Sequence, residues 1–140
     1  MAANSKFAVA VHALSVLGYF NEEFMTSEAV ASSVNTNPVV IRRLLGSLRR
    51  AGLVESQSGS HGGLRLARRP DKITLADIRG ALQPQGFMAI HANPENKKCP
   101  VSRNIKTALD AVFAETERAV DETLRRTTLA DLIGRIAAGP

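Results

Sequence analysis

Between Pro38 and Gly52 the chain reads PVVIRRLLGSLRRAG, and no other stretch restricts the fold as much. Ile41, Leu44, Leu45 and Leu48 recur at the i, i+3, i+4, i+7 spacing of one helical face, so they turn toward a core. The same periodicity carries Val39, Arg43, Gly46 and Arg50 to the opposite side, with Arg42 and Arg49 flanking them. Asn37 is a good cap, and Pro38 suits the first helical position, where a missing N–H leaves no bond unmade. Gly52 is the residue expected just past a helix end. This is a helix with a dry back and an arginine-rich front, so it needs other helices behind it and something polar before it.

The neighbouring segments supply the rest of a pattern. Residues 5–20 place Phe7, Val11, Leu14 and Leu17 on one apolar stripe of a first helix. Thr26 caps a short second helix, Ser27 to Ser33, with Glu28 in its first turn and Ala29, Val30 and Val34 as apolar contacts. After Gly52 the period changes: Leu53–Gln57 and Leu64–Ala67 read as two strands joined by the tip SGSHGG. Thr74 and Asp77 then form a capping box at the start of another helix, and Thr128 and Asp131 repeat it near the C-terminus. The echo of TLAD is too short to be a repeat. Residues 83–100 carry three prolines and no sustained period, as a connector would. From Val101 to Arg126 runs one long helix with Ile105, Leu109, Val112, Thr116, Ala119 and Thr123 in a stripe, widened by Phe113, Val120 and Leu124.

The expected fold is mainly α with a small β-hairpin. A winged helix-turn-helix domain occupies residues 1–82, a connecting loop 83–100, and a long dimerisation helix with a short terminal helix 101–140. At 4% aromatic and without Trp, the core must be built from Leu, Val, Ile and Ala, which suits helix packing. No apolar run reaches bilayer length, so no membrane partner is expected, and MAANSKFAVAVHALSVLGYF reads as a helix rather than a signal peptide. One cysteine and no such signal point to the cytoplasm.

Charge narrows the function. Nine basic and three acidic residues lie between Arg42 and Arg79, a surplus of +6 against +5 for the whole chain. The remainder therefore sums to −1, and the entire excess sits where the helix and hairpin are. An arginine-rich helix front suits the major groove of duplex DNA, where Arg pairs with guanine or with phosphate. The candidate DNA contacts are Val39, Arg42, Arg43, Arg49 and Arg50 on that helix, Asn37 at its start, and Thr26 and Ser27 at the second helix N-terminus. On the hairpin they are Ser60, His61, Gly62 and Arg65, with glycines 59, 62 and 63 letting backbone approach a phosphate ridge. The alternative is a winged helix that contacts another protein while its arginines are merely solvated. No catalytic set, phosphate-binding Gly loop or metal-ligand cluster is present, so the chain reads as no enzyme.

MTSEAVASSVNTNPVVIRRLLGSLRRAGLVESQSGSHGGLRLARRPDKITLADI resembles the Rrf-two family of bacterial transcription regulators, through LRRAGLV, HGGLRLAR and ITLADI. With the first and the long helix included, the resemblance spans nearly the whole chain. It implies a homodimer, joined mainly by the long helix, whose two winged heads read a dyad-symmetric operator, and the chain is read as a repressor. The stripe of Ile105, Leu109, Val112, Phe113, Val120 and Leu124 asks independently for a partner surface. Packing on the helix at residues 5–20 of the same chain would also cover part of it.

Iron–sulfur members of that family hold the cluster with three cysteines in the loop before the long helix. Here the loop has only Cys99, and His91 and Glu95 are poor substitutes for thiolates. No cofactor and no metal are expected, and the sequence sides with the cluster-free branch. Cys99 stands next to Lys97 and Lys98 at the head of the long helix, the kind of place where thiols react. It is therefore a candidate redox sensor, against the plainer reading of a small half-buried residue. Any small-molecule or oxidant effector is left unnamed by the loop.

Overall fold

The computed structural model describes residues 5–21, 24–82, 86 and 88–139. Its elements are α1 (Lys6–Phe20), α2 (Ser27–Val34), α3 (Pro38–Arg50), β1 (Val54–Gln57), β2 (Gly63–Leu66), α4 (Leu75–Ala81), α5 (Pro100–Arg125) and α6 (Leu129–Ala138), with a 3-10 turn at Pro70–Lys72. The order is that of a winged helix-turn-helix followed by a long helix, and the mainly helical fold with one hairpin is the expected one.

The caps act as the sequence suggests. The Ala29 N–H donates to Thr26 Oγ1 at 3.1 Å, and the Val39 N–H to Asn37 Oδ1 at 2.8 Å. Ile41, Leu44, Leu45 and Leu48 are all buried and form the floor on which α1, α2 and α4 close. Leu14, Val30, Leu53, Ile73, Ile78 and Leu129 complete that core. Each large core side chain here contributes about 1.5–3 kcal/mol of hydrophobic stabilisation.

Helix α1 departs from the single stripe expected of it. Ala10, Ala13, Leu14, Val16 and Leu17 are buried, whereas Phe7 and Val11 are only half-buried. The physical reason is α6, which lies on a second face of α1 made shallow by small residues. A Cβ on Gly18 would stand 2.5 Å from Ile133 Cδ1, so glycine admits that close approach. On α2 the buried pair is Val30 and Ala31, and Ala29 is exposed.

The two TLAD segments meet. Thr74 and Thr128 face each other across an antiparallel bridge, with the Leu75 N–H donating to Thr127 O at 2.9 Å and the Leu129 N–H to Ile73 O at 2.8 Å. Each Thr also accepts from its own Asp N–H, and each Asp carboxylate accepts from the Thr N–H, so two complete capping boxes sit side by side. Through this clamp the terminal helix belongs structurally to the head, although the sequence grouped it with the long helix.

In the hairpin, Val54 pairs with Leu66 and Gln57 with Gly63, and the Ala67 N–H extends the pairing to Leu53 O. Met25 adds a third edge: its N–H donates to Leu64 O at 2.8 Å and its carbonyl accepts from the Leu64 N–H at 2.7 Å. That bridge places the approach to α2 against the wing.

Of the connector at 83–100, residues 83–85 and 87 lie outside those described. Its later part runs along the start of α5, where the Asn96 N–H donates to Ser102 Oγ and Lys106 Nζ to Asn93 O. Cys99 is the N-cap residue of α5 with Pro100 at the first helical position. α5 packs on α4, not on α1 as the intrachain alternative had it, and every residue along it keeps some exposure. Among the described residues no helix is long and apolar enough to cross a membrane.

Candidate nucleic-acid interface

The front of α3 is the site to build from. With Ile41, Leu44, Leu45 and Leu48 buried, helical geometry leaves Val39, Arg43, Gly46 and Arg50 facing outward, and all but the half-buried Gly46 are exposed. One flank faces the wing: Ser27, Arg42, Arg49, Ser56 and Leu64 line a single hollow there. The other flank opens into a cleft of about 800 Å³ whose walls include Val40, Ser47 and Arg50 on α3 and Lys6 on α1.

Ion pairing redistributes the basic surplus. Among the described residues, five of the nine cations between Arg42 and Arg79 have acid partners. Arg42 pairs with Glu28 at 2.7 Å, Arg69 with Asp71 at 2.8 Å, Arg79 with Glu117 at 2.8 Å and Arg68, more loosely, with Asp77 at 3.7 Å. Arg65 pairs with Glu55. That leaves Arg43, Arg49, Arg50 and Lys72 without an acid, and three of these four stand on α3. Arg49 donates to Ser56 Oγ at 3.2 Å and Arg50 to Ser47 Oγ at 3.2 Å, neutral partners that orient a guanidinium without cancelling its charge. Within this stretch the uncompensated positive charge is therefore concentrated on α3.

Glu28 is the residue the sequence undervalued. Its place in the first turn of α2 suits the helix dipole, but the hydrogen bond from Arg42 is what mainly holds its carboxyl below the usual carboxylate range. Fourteen residues separate the pair, too far for any local pattern to reveal it. Ser56 was missed for the same reason.

The hairpin register divides the wing residues. Ser56 pairs with Leu64 on the face that borders Arg49, and Glu55 pairs with Arg65 on the other face. Arg65 also lies 4.4 Å from the Phe24 ring centroid and, with Arg68 and Arg69, borders a groove toward the end of α1. It is thus set apart from the α3 front. Ser60 and His61 remain exposed at the tip. The two glycines after them answer first to the protein: a Cβ at Gly62 would meet Gln57 O, and one at Gly63 would meet Met25 O. Of these three hairpin glycines, only Gly59 has open space around it. Thr26, Ser27 and Asn37 sit at the N-termini of α2 and α3, with the Thr26 and Asn37 side chains engaged as caps.

A helix-turn-helix with a cationic second helix, a wing and a long trailing helix matches known regulators along its whole length. The model of the Rrf2 family, described as "Iron-dependent Transcriptional regulator", matches residues 3–135. The chain is 40% identical over 134 residues to a Bacillus subtilis protein named as the HTH-type transcriptional regulator YwnA, covering 95% of this chain and 98% of that one. The solved structure of T. potens IscR superposes with a TM-score of 0.70 at 25% identity, over 96% of this chain and 87% of the other. That of CymR, the global cysteine regulator of B. subtilis, gives 0.68 at 27% identity over 96% and 97%. With the fold, the cationic helix and a match along nearly the whole chain in agreement, this protein belongs to the Rrf2 family of transcription regulators and is a DNA-binding regulator, not an enzyme.

Proposed function

We propose that the protein is a sequence-specific repressor that binds a dyad-symmetric operator as a homodimer in the cytoplasm. The observation that carries the reading is the set of three α3 arginines without an acid partner, Arg43, Arg49 and Arg50, around a helix front otherwise free of charge. α3 enters the major groove, and Arg49, steadied by Ser56, meets a phosphate on the wing side. Ser60 and His61 reach the backbone from the hairpin tip, and the N–H groups at the start of α2, by Thr26 and Ser27, take another phosphate.

Dimerisation follows from α5. A 26-residue helix with no residue buried in its own chain, and with Val101 and Val112 well exposed, needs a second surface to cover it. A second α5 running alongside, through Ile105, Leu109, Val112, Phe113, Val120 and Leu124, would set the spacing of the two α3 helices.

The family description invokes iron, and the donor set here does not fit an iron–sulfur cluster. Cys99 is the only thiol in the sequence, and among the described residues no three His, Cys, Asp or Glu side chains gather to hold a metal. We therefore read the regulator as cofactor-free. Its signal enters at the connector, either as a small effector or by oxidation of Cys99, which is half-buried and whose side chain makes no capping bond.

The test is selection of duplexes from a random pool, followed by affinity measured against salt. The reading expects a palindrome held far more tightly than random duplex, with affinity falling steeply as salt rises. Equal, weak binding to all duplexes would return the chain to a protein-contacting winged helix.

A further inference from the structure

The polar groups that flank the first turn of α3 are already engaged. The Asn37 side-chain oxygen accepts from the Val39 N–H at 2.8 Å, and Arg42 is held by Glu28 at 2.7 Å. What this first turn presents outward, ahead of Arg43, is apolar: Val39 is 47% exposed and Val40 50%. Val39 lies at the centre of the outward face, one turn before Arg43, and Val40 lies on the flank above the cleft beside Lys6 and Ser47. Two exposed valines one turn before Arg43, a charge without an acid partner, do not suit an apolar protein groove, because that charge would be buried with them. They do suit a polyanion that presents an apolar group at the right depth.

The major groove of DNA has one such group, the 5-methyl of thymine. In helix-turn-helix docking the first residues of the second helix are those that meet base edges. A valine there is stiff about χ1, so little side-chain freedom is lost when its methyls are pressed against another methyl. The division of labour along the helix then follows: the second half, with Arg49 and Arg50, neutralises phosphates, and the first half reads.

We propose that Val39, with Val40 on its flank, determines operator specificity by reading thymine through its 5-methyl group. The inference rests on the DNA-binding reading above and says which chemical feature of the operator is recognised.

The experiment uses the full chain and the best duplex selected from a random pool, with each thymine replaced in turn by deoxyuridine, which removes only the methyl. Binding is followed by fluorescence anisotropy. For the unaltered protein at least one replacement should weaken binding about fourfold, the equivalent of one buried methyl group. Val39→Ala or Val40→Ala should abolish that sensitivity, and Val39→Thr, which keeps the branched shape but exchanges a methyl for a hydroxyl, should reduce it. Arg43→Ala should weaken binding to every duplex while leaving the methyl effect in place. If no deoxyuridine costs affinity, or the same cost persists in both alanine variants, the inference is overturned while the regulator reading stands. If no duplex is selected at all, both fall. Both valines are exposed, and an unchanged thermal melt of each variant confirms that the readout is binding.

Discussion

Arg42 Nη2 lies 2.7 Å from Glu28 Oε1, an ion pair that ties the front of α3 to the first turn of α2. It makes two adjacent arginines unequal, since Arg43 has no such partner. Arg43→Ala should weaken operator binding by about 1–3 kcal/mol if it makes a bidentate base contact, and Arg42→Ala by less. Glu28→Gln should free Arg42 and steepen the salt dependence by about one counterion. The Glu28 carboxyl is depressed by the pair, so the stabilisation is present above the ordinary carboxylate range and is lost as pH falls through the depressed value. The effect of Glu28→Gln should accordingly vanish in acid, as salt titrations at two pH values would show.

Gly46 stands in the middle of the outward face, and a Cβ there would meet only Arg50 Nη1, at 3.6 Å. Gly46→Ala should therefore stabilise the protein by up to about 1 kcal/mol, the helix-propensity difference. The same methyl would stand between α3 and a docked base pair, so operator affinity should fall as the melting temperature rises. Paired urea and anisotropy measurements check both directions.

Gly63 has φ of 146° and no room for a Cβ beside Met25. Gly63→Ala should cost about 1–3 kcal/mol, the price of strained backbone, and should open the Met25–Leu64 bridge. Gly62→Ala, pressed against the Gln57 carbonyl, should behave alike. Hydrogen exchange at the Met25 and Leu64 amides should accelerate in the Gly63 variant.

The clamp between Thr74 and Thr128 holds α6 to the head. Thr128→Ala should cost about 1 kcal/mol, as loss of an N-cap does. Asp131 is held below the usual carboxylate range, chiefly by the hydrogen bond from the Thr128 backbone N–H. Its contribution is thus complete above that range and disappears as pH falls through the depressed value, so Asp131→Asn should flatten the acid limb of a stability–pH profile.

Val112 is 54% exposed on α5. If a second α5 covers it, Val112→Glu should place a charge in that seam and shift the protein from dimer to monomer in sedimentation velocity, while the melting of the head changes little. An unchanged sedimentation coefficient would move the dimer contact elsewhere.

Local signals in the sequence were sufficient for most of the fold. The apolar spacing of Ile41, Leu44, Leu45 and Leu48, the caps at Thr26 and Asn37, the capping box within each TLAD segment and Gly62 at the hairpin tip each act within a few residues. Illegible were the relations between segments: α6 lying on α1, Met25 joining the wing, and the pairing of Arg42, Arg65 and Arg79 with distant acids. The candidate site divides along the same line. Which arginines lie on the front of α3 follows from helical period alone, whereas the pairing of Arg65 on the hairpin with Glu55 depends on the register of the two strands.

The sequence by itself determined the elements, the dry face of α3 and the excess of positive charge, because hydrophobic period, capping and net charge are properties of the chain. Tertiary structure decided which of those charges remain uncompensated. Ion pairing depends on distances across the fold, and it withdrew Arg42, Arg65, Arg68, Arg69 and Arg79 while leaving Arg43, Arg49 and Arg50 on one helix with two bare valines before them.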